Sequence, residues 1–377
     1  MHAGFSRVCI NPPKGTRMMG FGDRDRGPGS GSIRDDIFAR ALYLAHDGEQ
    51  ALIVTFDMCF IGREDSGRYK GVLGRLFGLT PRQIVLASSH SHVGPASGYW
   101  AYGDYLPPDQ LYLREMEAAV VAAATAAKER ARKVTIRAGS GHSKVPMNRR
   151  KRMPNGKFEN RPNPDGIVCD ALPVCLLTGE DGRTVACLFS IAAHPSIVGG
   201  TAISSEYPGV ATNRVDAHLG AALAETRWPL LPARSRGEFE KVAGELTPGA
   251  PPSQQRLYPL WAARQLELLD RGQKLRTAAS VLIQGIQLGK GLRMVAIEGE
   301  PVAEHGLNML KFYSEGVTFP LGYANGEAMY LPVTRQLPEG GYEVDSYWEY
   351  GAPAGLAPGM EQVVTQTLET FQRQGIG

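Results

Sequence analysis

Two histidines two residues apart, His90 and His92, stand where the apolar run Ile84-Val85-Leu86-Ala87 gives way to Gly94-Pro95. In an extended chain, residues i and i+2 project to one face, so both imidazoles would enter one small volume at the strand's end. Imidazole nitrogens gathered in this way serve as metal ligands or as proton carriers. An isolated His-x-His is equally a pair of locally satisfied side chains, so other stretches must decide. Two do. The apolar run 184–193 ends at His194-Pro195, and the run 292–297 ends at Glu298-Gly299-Glu300-Pro301. Three strands thus deliver His90, His194 and Glu300 to their carboxyl ends, where the active sites of layered α/β proteins commonly sit. Two histidines and a carboxylate are a catalytic zinc set that leaves a position for water or a further ligand. Zinc lowers the pKa of its bound water from ~16 to ~7, which makes hydroxide at neutral pH for attack on an amide, ester or lactone carbonyl.

The elements that must carry these residues follow from periodicity and turn chemistry. Residues 5–10 read as a strand closed by Asn11-Pro12-Pro13, and 37–45 with 51–56 as a hairpin turning at Asp47-Gly48. Asp57 ends the second of these, placed either to orient a histidine or to cap the next turn. Residues 63–79 and 109–133 have helical periodicity. The long loop between His92 and Pro108, rich in rings such as Tyr99 and Trp100, suits a pocket wall. A strand at 134–138 is followed by a loop over 139–164 that carries Asn148-Arg149-Arg150. A second hairpin joins 171–177 to 184–193, and a helix is expected from about residue 207 to 228. The segment 229–252 is rich in Pro, Ala and Gly, with a short charged helix, and another helix covers 254–269. Strands at 277–288, 292–297 and 318–322, an aromatic loop at 342–350 and a closing helix over 359–374 complete the chain. The fold class is α/β, mixed β-sheets layered with flanking helices, with the site at strand ends. One domain is expected to span residues 1–377, with 230–275 a helical or loop insertion.

Lys and Arg number 41 against 38 Asp and Glu, so no global field points to nucleic acid. The cluster Arg149-Arg150-Lys151-Arg152 is either a solvated loop or a contact for an anion or substrate carboxylate. The five cysteines are odd in number and mostly lie in apolar runs, which fits free buried thiols in a reducing compartment. The N-terminus has no signal pattern and no run is long enough to span a bilayer, so a cytoplasmic protein without a transmembrane segment is expected. Its partner would be a small molecule, and homo-oligomerisation is left open. Gly20 and Gly22 flank Phe21 and suit either a plain turn or close backbone approach to a ligand.

Several of these pieces recur in a known order. Met18-Met19-Gly20-Phe21-Gly22, Arg40-Ala41, His90-Ser91-His92 with Gly94-Pro95, Asn148-Arg149-Arg150, Ala193-His194, Gly299-Glu300, Tyr330 and Tyr342-Glu343 together resemble the catalytic domain of the neutral (alkaline, non-lysosomal) ceramidases. These are zinc enzymes that hydrolyse the amide of N-acylsphingosine. The resemblance implies Zn2+ held by His90, His194, Glu300 and Tyr330, with His92 beside the metal-bound water as proton shuttle or transition-state donor. It implies Tyr342 on the oxyanion, Arg149 or Arg150 on a polar group of the substrate, and Gly20 or Gly22 against the ligand. Two departures bear on the substrate. The family's Ser-Asn-x-Gly-Asp-x-x-Pro segment is replaced by Ala221-Ala222-Leu223-Ala224-Glu225-Thr226-Arg227-Trp228-Pro229, with an alanine about where the serine would stand. A short form without the family's C-terminal immunoglobulin-like domain is also expected. A zinc-dependent hydrolase of a small acylated amine is expected rather than an enzyme for ceramide. The alternative is a family member that forms amides, opens a lactone or cyclic amide, or binds a ligand without turnover.

Overall fold

The computed structural model describes residues 1–21, 29–97, 109–212, 222–245 and 254–377. Its larger sheet has seven strands in the order Thr184–Phe189, Ala171–Gly179, Arg132–His142, His2–Cys9, Phe38–His46, Glu49–Phe56 and Ile84–Ser88. Neighbours are antiparallel except the last pair, which is parallel because helix Arg63–Phe77 carries the chain back between them. The smaller sheet orders Ala222–Pro229, Ala278–Gly289, Leu292–Ile297 and Val317–Leu321. It too ends in a parallel pair, linked by helix Ala303–Phe312.

Side-chain alternation builds the layers. In Phe38–His46, Ala39, Ala41 and Tyr43 pack with Tyr69 and Leu73 of one helix and with Met116 and Val120 of helix Gln110–Glu129. Leu42 and Leu44, one residue out of phase, pack with Ile286, Met294 and Phe319 of the smaller sheet. The far face of that sheet puts Val281, Ile283 and Val295 against Met309, Val364 and Leu368 of helices Ala303–Phe312 and Met360–Arg373. Four layers result: helices, sheet, sheet, helices. This is the expected class of mixed sheets with flanking helices.

A buried polar chain ties the layers together. Lys70 Nζ donates to Asn325 Oδ1 (2.7 Å), Asn325 Nδ2 to Gln284 Oε1 (2.8 Å), and Gln284 Nε2 to the carbonyl of Arg82 (2.9 Å). Asn325 itself sits in the left-handed region with φ 64°. The chain therefore fixes the loop after Val317–Leu321, which supplies Tyr323, Glu327 and Tyr330 to the site.

Several expected elements differ. Residues 139–164 are not all loop but contain the hairpin Asn148–Arg152 with Phe158–Asn163. Asn-Arg-Arg-Lys-Arg has no apolar alternation to announce a strand. Its order comes from Arg150, buried over the Phe158 ring and paired with Glu339 and Glu343 at 2.9 Å each. Of the helix expected over 207–228, the described residues show a helix at Glu206–Thr212 and, at Ala222–Pro229, a strand in its place, with Trp228 fully buried. Alanines suggested a helix there, and the packing of Thr226 and Trp228 against the neighbouring strand overrides that propensity. The stretch compared with the family's serine segment is thus an edge strand paired to residues 278–285. Helices Arg236–Ala243 and Gln254–Asp270 share a small cluster of Phe239, Val242, Trp261 and Ala262. The aromatic loop at 342–350 is a short helix, Tyr342–Asp345, and a 3-10 turn, Ser346–Tyr350. The five cysteines are free, four of them buried. No helix among the described residues is long and apolar enough to cross a membrane.

Candidate active site

His90 and His92 do not project from a strand. The strand stops at Ser88, and the two rings converge because His90 takes a left-handed backbone, φ 63°. Such a conformation costs a non-glycine residue ~1–3 kcal/mol and persists where the surroundings impose it. Here the His90 amide donates to the Met58 carbonyl (3.0 Å), and the Tyr323 ring stacks on the imidazole at 3.8 Å and 14°. His90 Nδ1 lies 3.0 Å from the Cys59 carbonyl. A carbonyl can only accept, so Nδ1 carries the proton and Nε2 keeps its lone pair, the tautomer a metal ligand needs.

His194 arrives on the extended segment beyond Phe189, where Strand Thr184–Phe189 stops five residues short of it. Pro195 accepts from the His92 amide (3.3 Å) and Tyr207 donates its hydroxyl to the Ala193 carbonyl, which fixes the segment on either side of the ring. Glu300 follows Leu292–Ile297 through Glu298 and Gly299. Glu298 is anchored by Arg63 Nε at 2.9 Å. Gly299, at φ 88°, lies where a Cβ would be 2.5 Å from the Met329 carbonyl. Only glycine lets the backbones close up so that Glu300 pairs directly with Tyr330 in a short parallel bridge.

The ligand atoms meet. His92 Nε2 lies 3.2 Å from His90 Nε2 and 2.8 Å from His194 Nε2, and Glu300 Oε2 lies 3.4 Å from His90 Nε2. His90, His194 and Glu300 offer ligand atoms that all lie within 4.8 Å of one another, as do Cys59, His90 and His92. The edge of a tetrahedron with zinc–nitrogen bonds of ~2.0–2.1 Å is about 3.3 Å. The 3.4 Å between His90 Nε2 and Glu300 Oε2 matches that edge, the 2.8 Å between His92 and His194 falls short of it, and a nitrogen, nitrogen and oxygen donor set is of the kind zinc takes. His92 was expected beside the ion as a proton carrier, and its Nε2 occupies a place in the donor cluster itself.

One contact must yield before His194 can ligate. Arg149 Nη2 donates to His194 Nδ1 at 3.0 Å, which puts the neutral ring's proton on Nε2. His194 offers Nε2 to a metal only when Arg149 has released the other nitrogen. Burial, reinforced by the charges of His90, Arg149 and His92, holds the His194 pKa well below the ordinary histidine value, so the ring is neutral at pH 7.

The surrounding residues divide into expected and unexpected members. Tyr330, beside Glu300, has its phenol pushed far up by burial and by the Glu300 charge. Tyr342 stands edge-on to Tyr330 (5.4 Å), is 37% exposed, and donates to Glu349 (3.2 Å). Of the arginine pair, Arg149 reaches the histidines, whereas Arg150 is neutralised by two glutamates. Gly20, at φ 118°, makes room for a side chain: a Cβ there would lie 2.6–2.7 Å from His92. Gly22 and Tyr99 lie outside the described residues. Asp57 orients no histidine; it accepts from Arg40 Nη1 (2.6 Å) and from the Phe38 amide (3.0 Å). Sequence reasoning missed Phe21, edge-on to His92 at 5.0 Å, Tyr323 on His90, and Tyr350, whose hydroxyl donates to Glu300 Oε1 at 3.0 Å. It also missed Glu327. Burial and the adjoining Glu300 charge push Glu327 well up, while the neighbouring imidazoles and the Tyr330 hydroxyl pull Glu300 down against its own burial. Two carboxyl groups in contact share a proton more readily than they both ionise, so Glu327 is the protonated member.

A cavity of about 380 Å³ opens beside these residues and is lined by Arg149, His194, Tyr323 and Tyr330 among others. The fold and the site together define a layered α/β protein with a group of candidate metal-ligating side chains between its two larger sheets. No family model matches the sequence, and no curated protein matches it. Among solved structures the chain is similar to a ceramidase complexed with C2, with a TM-score of 0.69 and 15% identity over 99% of this chain and 75% of that one. It is also similar to the neutral ceramidase from Pseudomonas aeruginosa, with a TM-score of 0.65 and 15% identity over 97% and 73% of the two chains. The likeness establishes a shared fold, the one that the ordered motifs led us to expect.

Proposed function

We propose that this protein is a zinc-dependent hydrolase that cleaves the amide bond of a small acylated amine. One observation carries the proposal: His90, His194 and Glu300 offer ligand atoms that all lie within 4.8 Å of one another, His90 Nε2 and Glu300 Oε2 being 3.4 Å apart, beside a cavity. His90, His194 and Glu300 would hold the ion, with Tyr330 as a further ligand. Zinc bound there supplies Lewis acidity toward a carbonyl and lowers the pKa of water. His92, held against both other imidazoles and backed by Phe21, takes a proton and returns it to the leaving amine. Arg149, once it leaves His194, presents its planar guanidinium to a polar group of the substrate. Tyr342, at the rim, donates to the developing oxyanion. Tyr350 and protonated Glu327 keep the Glu300 carboxylate oriented through hydrogen bonds. The similar folds of the two ceramidases support amide chemistry.

The test is metal analysis combined with turnover of a panel of N-acyl amines. We expect near-stoichiometric zinc, loss of hydrolysis on chelation, recovery on adding zinc, and loss of both metal and activity in His194→Ala. Purified protein without zinc, together with unchanged activity in His194→Ala, would end the proposal.

A further inference from the structure

Among the described residues, the charges that line the cavity are matched except for Arg149. Arg40 is paired with Asp57, Arg150 with Glu343, and Glu304 with Arg335. Arg149 precedes Arg150 in the strand Asn148–Arg152, and alternation turns it the opposite way. Its half-buried guanidinium meets His194 in the cavity wall. No carboxylate among the described residues is paired with it, and the bond to His194 Nδ1 is the only one its side chain makes among them. The rest of its planar N–H fork therefore has no acceptor there. Much of the lining is apolar, Leu188, Phe189, Ile191 and Leu321 included. A cation set in such a wall is stabilised by an anion brought to it.

We infer that Arg149 is a subsite for a carboxylate of the substrate, and that the amides cleaved are N-acyl amino acids or half-amides of dicarboxylic acids. A guanidinium and a carboxylate match in planar, bidentate fashion, and such charge-assisted bonds are about twice as strong as neutral ones. A phosphate monoester would set about two negative charges against a single positive one. Only the His194 ring lies between the guanidinium and the donor cluster, so the carboxylate would sit a few bonds from the scissile carbonyl. The exchange has a second effect. A carboxylate that draws Arg149 away leaves His194 Nδ1 to take the ring proton, and Nε2 is then open to a metal. Carboxylate and zinc each bind more tightly in the other's presence, and by the same factor. The substrate class rests on the hydrolase reading; the carboxylate subsite itself does not.

The test uses the full chain and ligands that share one skeleton. N-butyrylglycine carries the carboxylate on the amine side, succinic acid monoethylamide carries it on the acyl side, and N-ethylbutanamide has a methyl group in both places. We expect kcat/KM of the zinc-loaded chain to favour one of the acids over N-ethylbutanamide by about tenfold or more, and the acid that wins names the side. With a methylene in place of N–H both acids become 4-oxoheptanoate, which cannot be hydrolysed; heptan-4-one is its uncharged match. Calorimetry should show the keto acid binding about tenfold or more tighter than the ketone. Competition with a chelator should show the keto acid raising zinc affinity by about fivefold or more. In Arg149→Met both effects should fall to within about twofold. Tighter binding of the keto acid without hydrolysis of any amide would remove the hydrolase reading and leave the subsite standing. Equal binding of keto acid and ketone, or an advantage undiminished in Arg149→Met because the carboxylate sits on the ion itself, would overturn the subsite. A zinc affinity unmoved by the keto acid would overturn the exchange at His194. Should Arg149→Met not fold, Arg149→Gln serves in its place.

Discussion

Lys70 is the buried amine at one end of the polar chain that holds the Asn325 loop, and its replacement by methionine gives a quantitative test of that arrangement. Burial lowers its pKa from an ordinary 10.5 to about 8, partly opposed by the Glu298 charge. A folded-state value below the unfolded one means that the native protein gives up its proton first. Below pH 8 both states are protonated and the folded state bears the full cost of a desolvated ammonium. Between pH 8 and 10.5 the unfolded chain binds more protons, so stability rises with pH; above 10.5 the cost is gone. At ~1.36 kcal/mol per pH unit the rise is about 3 kcal/mol. Lys70→Met has no such titration, and its loss of the hydrogen bond to Asn325 is an offset that does not vary with pH. Urea unfolding of both proteins from pH 7 to 11 should show wild type gaining about 3 kcal/mol on the variant across this window. A difference that is flat over that range, or that shrinks as pH rises, would refute the assignment of Lys70 as a desolvated amine.

Three further outcomes follow from the site. Gly20→Ala should displace His92, because the new Cβ would crowd its Cα, Cβ and Cγ at a φ that L-residues avoid; zinc content and hydrolysis should both fall, by about tenfold or more, as metal analysis and initial rates would show. Arg149→Met should free His194 Nδ1, so zinc affinity measured by competition with a chelator should rise while turnover falls by about a hundredfold. Weaker zinc binding in that variant would mean that the arginine supports the ligand instead of competing for it. Arg40→Met would leave Asp57 buried and unpaired, which should cost about 3–5 kcal/mol at pH 7 in thermal or urea unfolding. That loss should shrink as pH falls and Asp57 takes up a proton, and a loss independent of pH would argue against the ion pair as its source.

The candidate ligands were legible because each lies close behind an apolar run, and burial of that run in a sheet decides where the polar end emerges. His90, His194 and Glu300 come together as that reasoning required, although by turns and extended segments and not by strand periodicity. The left-handed backbone at His90 has no signature in residue type, and the aromatic stacking of Tyr323 that imposes it comes from a loop more than two hundred residues away. Glu327 and Tyr350 were likewise out of reach, since their partner Glu300 is set by the docking of loops. Residues 222–228 were misread because local propensity in an alanine-rich segment is weak beside the pull of a neighbouring strand. The hairpin carrying Arg149 was hidden for the opposite reason: its charged residues have no alternation, and acids distant in sequence supply its order.

The donors come from both sheets. His90 and His92 follow the last strand of the larger one, and Glu300 and Tyr330 follow the smaller. An ion gripped by both would rivet the two layers together, so metal loading should resist the prising apart of the sheets by an amount that grows with the logarithm of free zinc. Neither half of the polypeptide, made alone, would carry a full set of donors. Complementation of the two halves would then depend on the ion, and fragment reassembly could serve as a reporter of metal occupancy where no substrate is known.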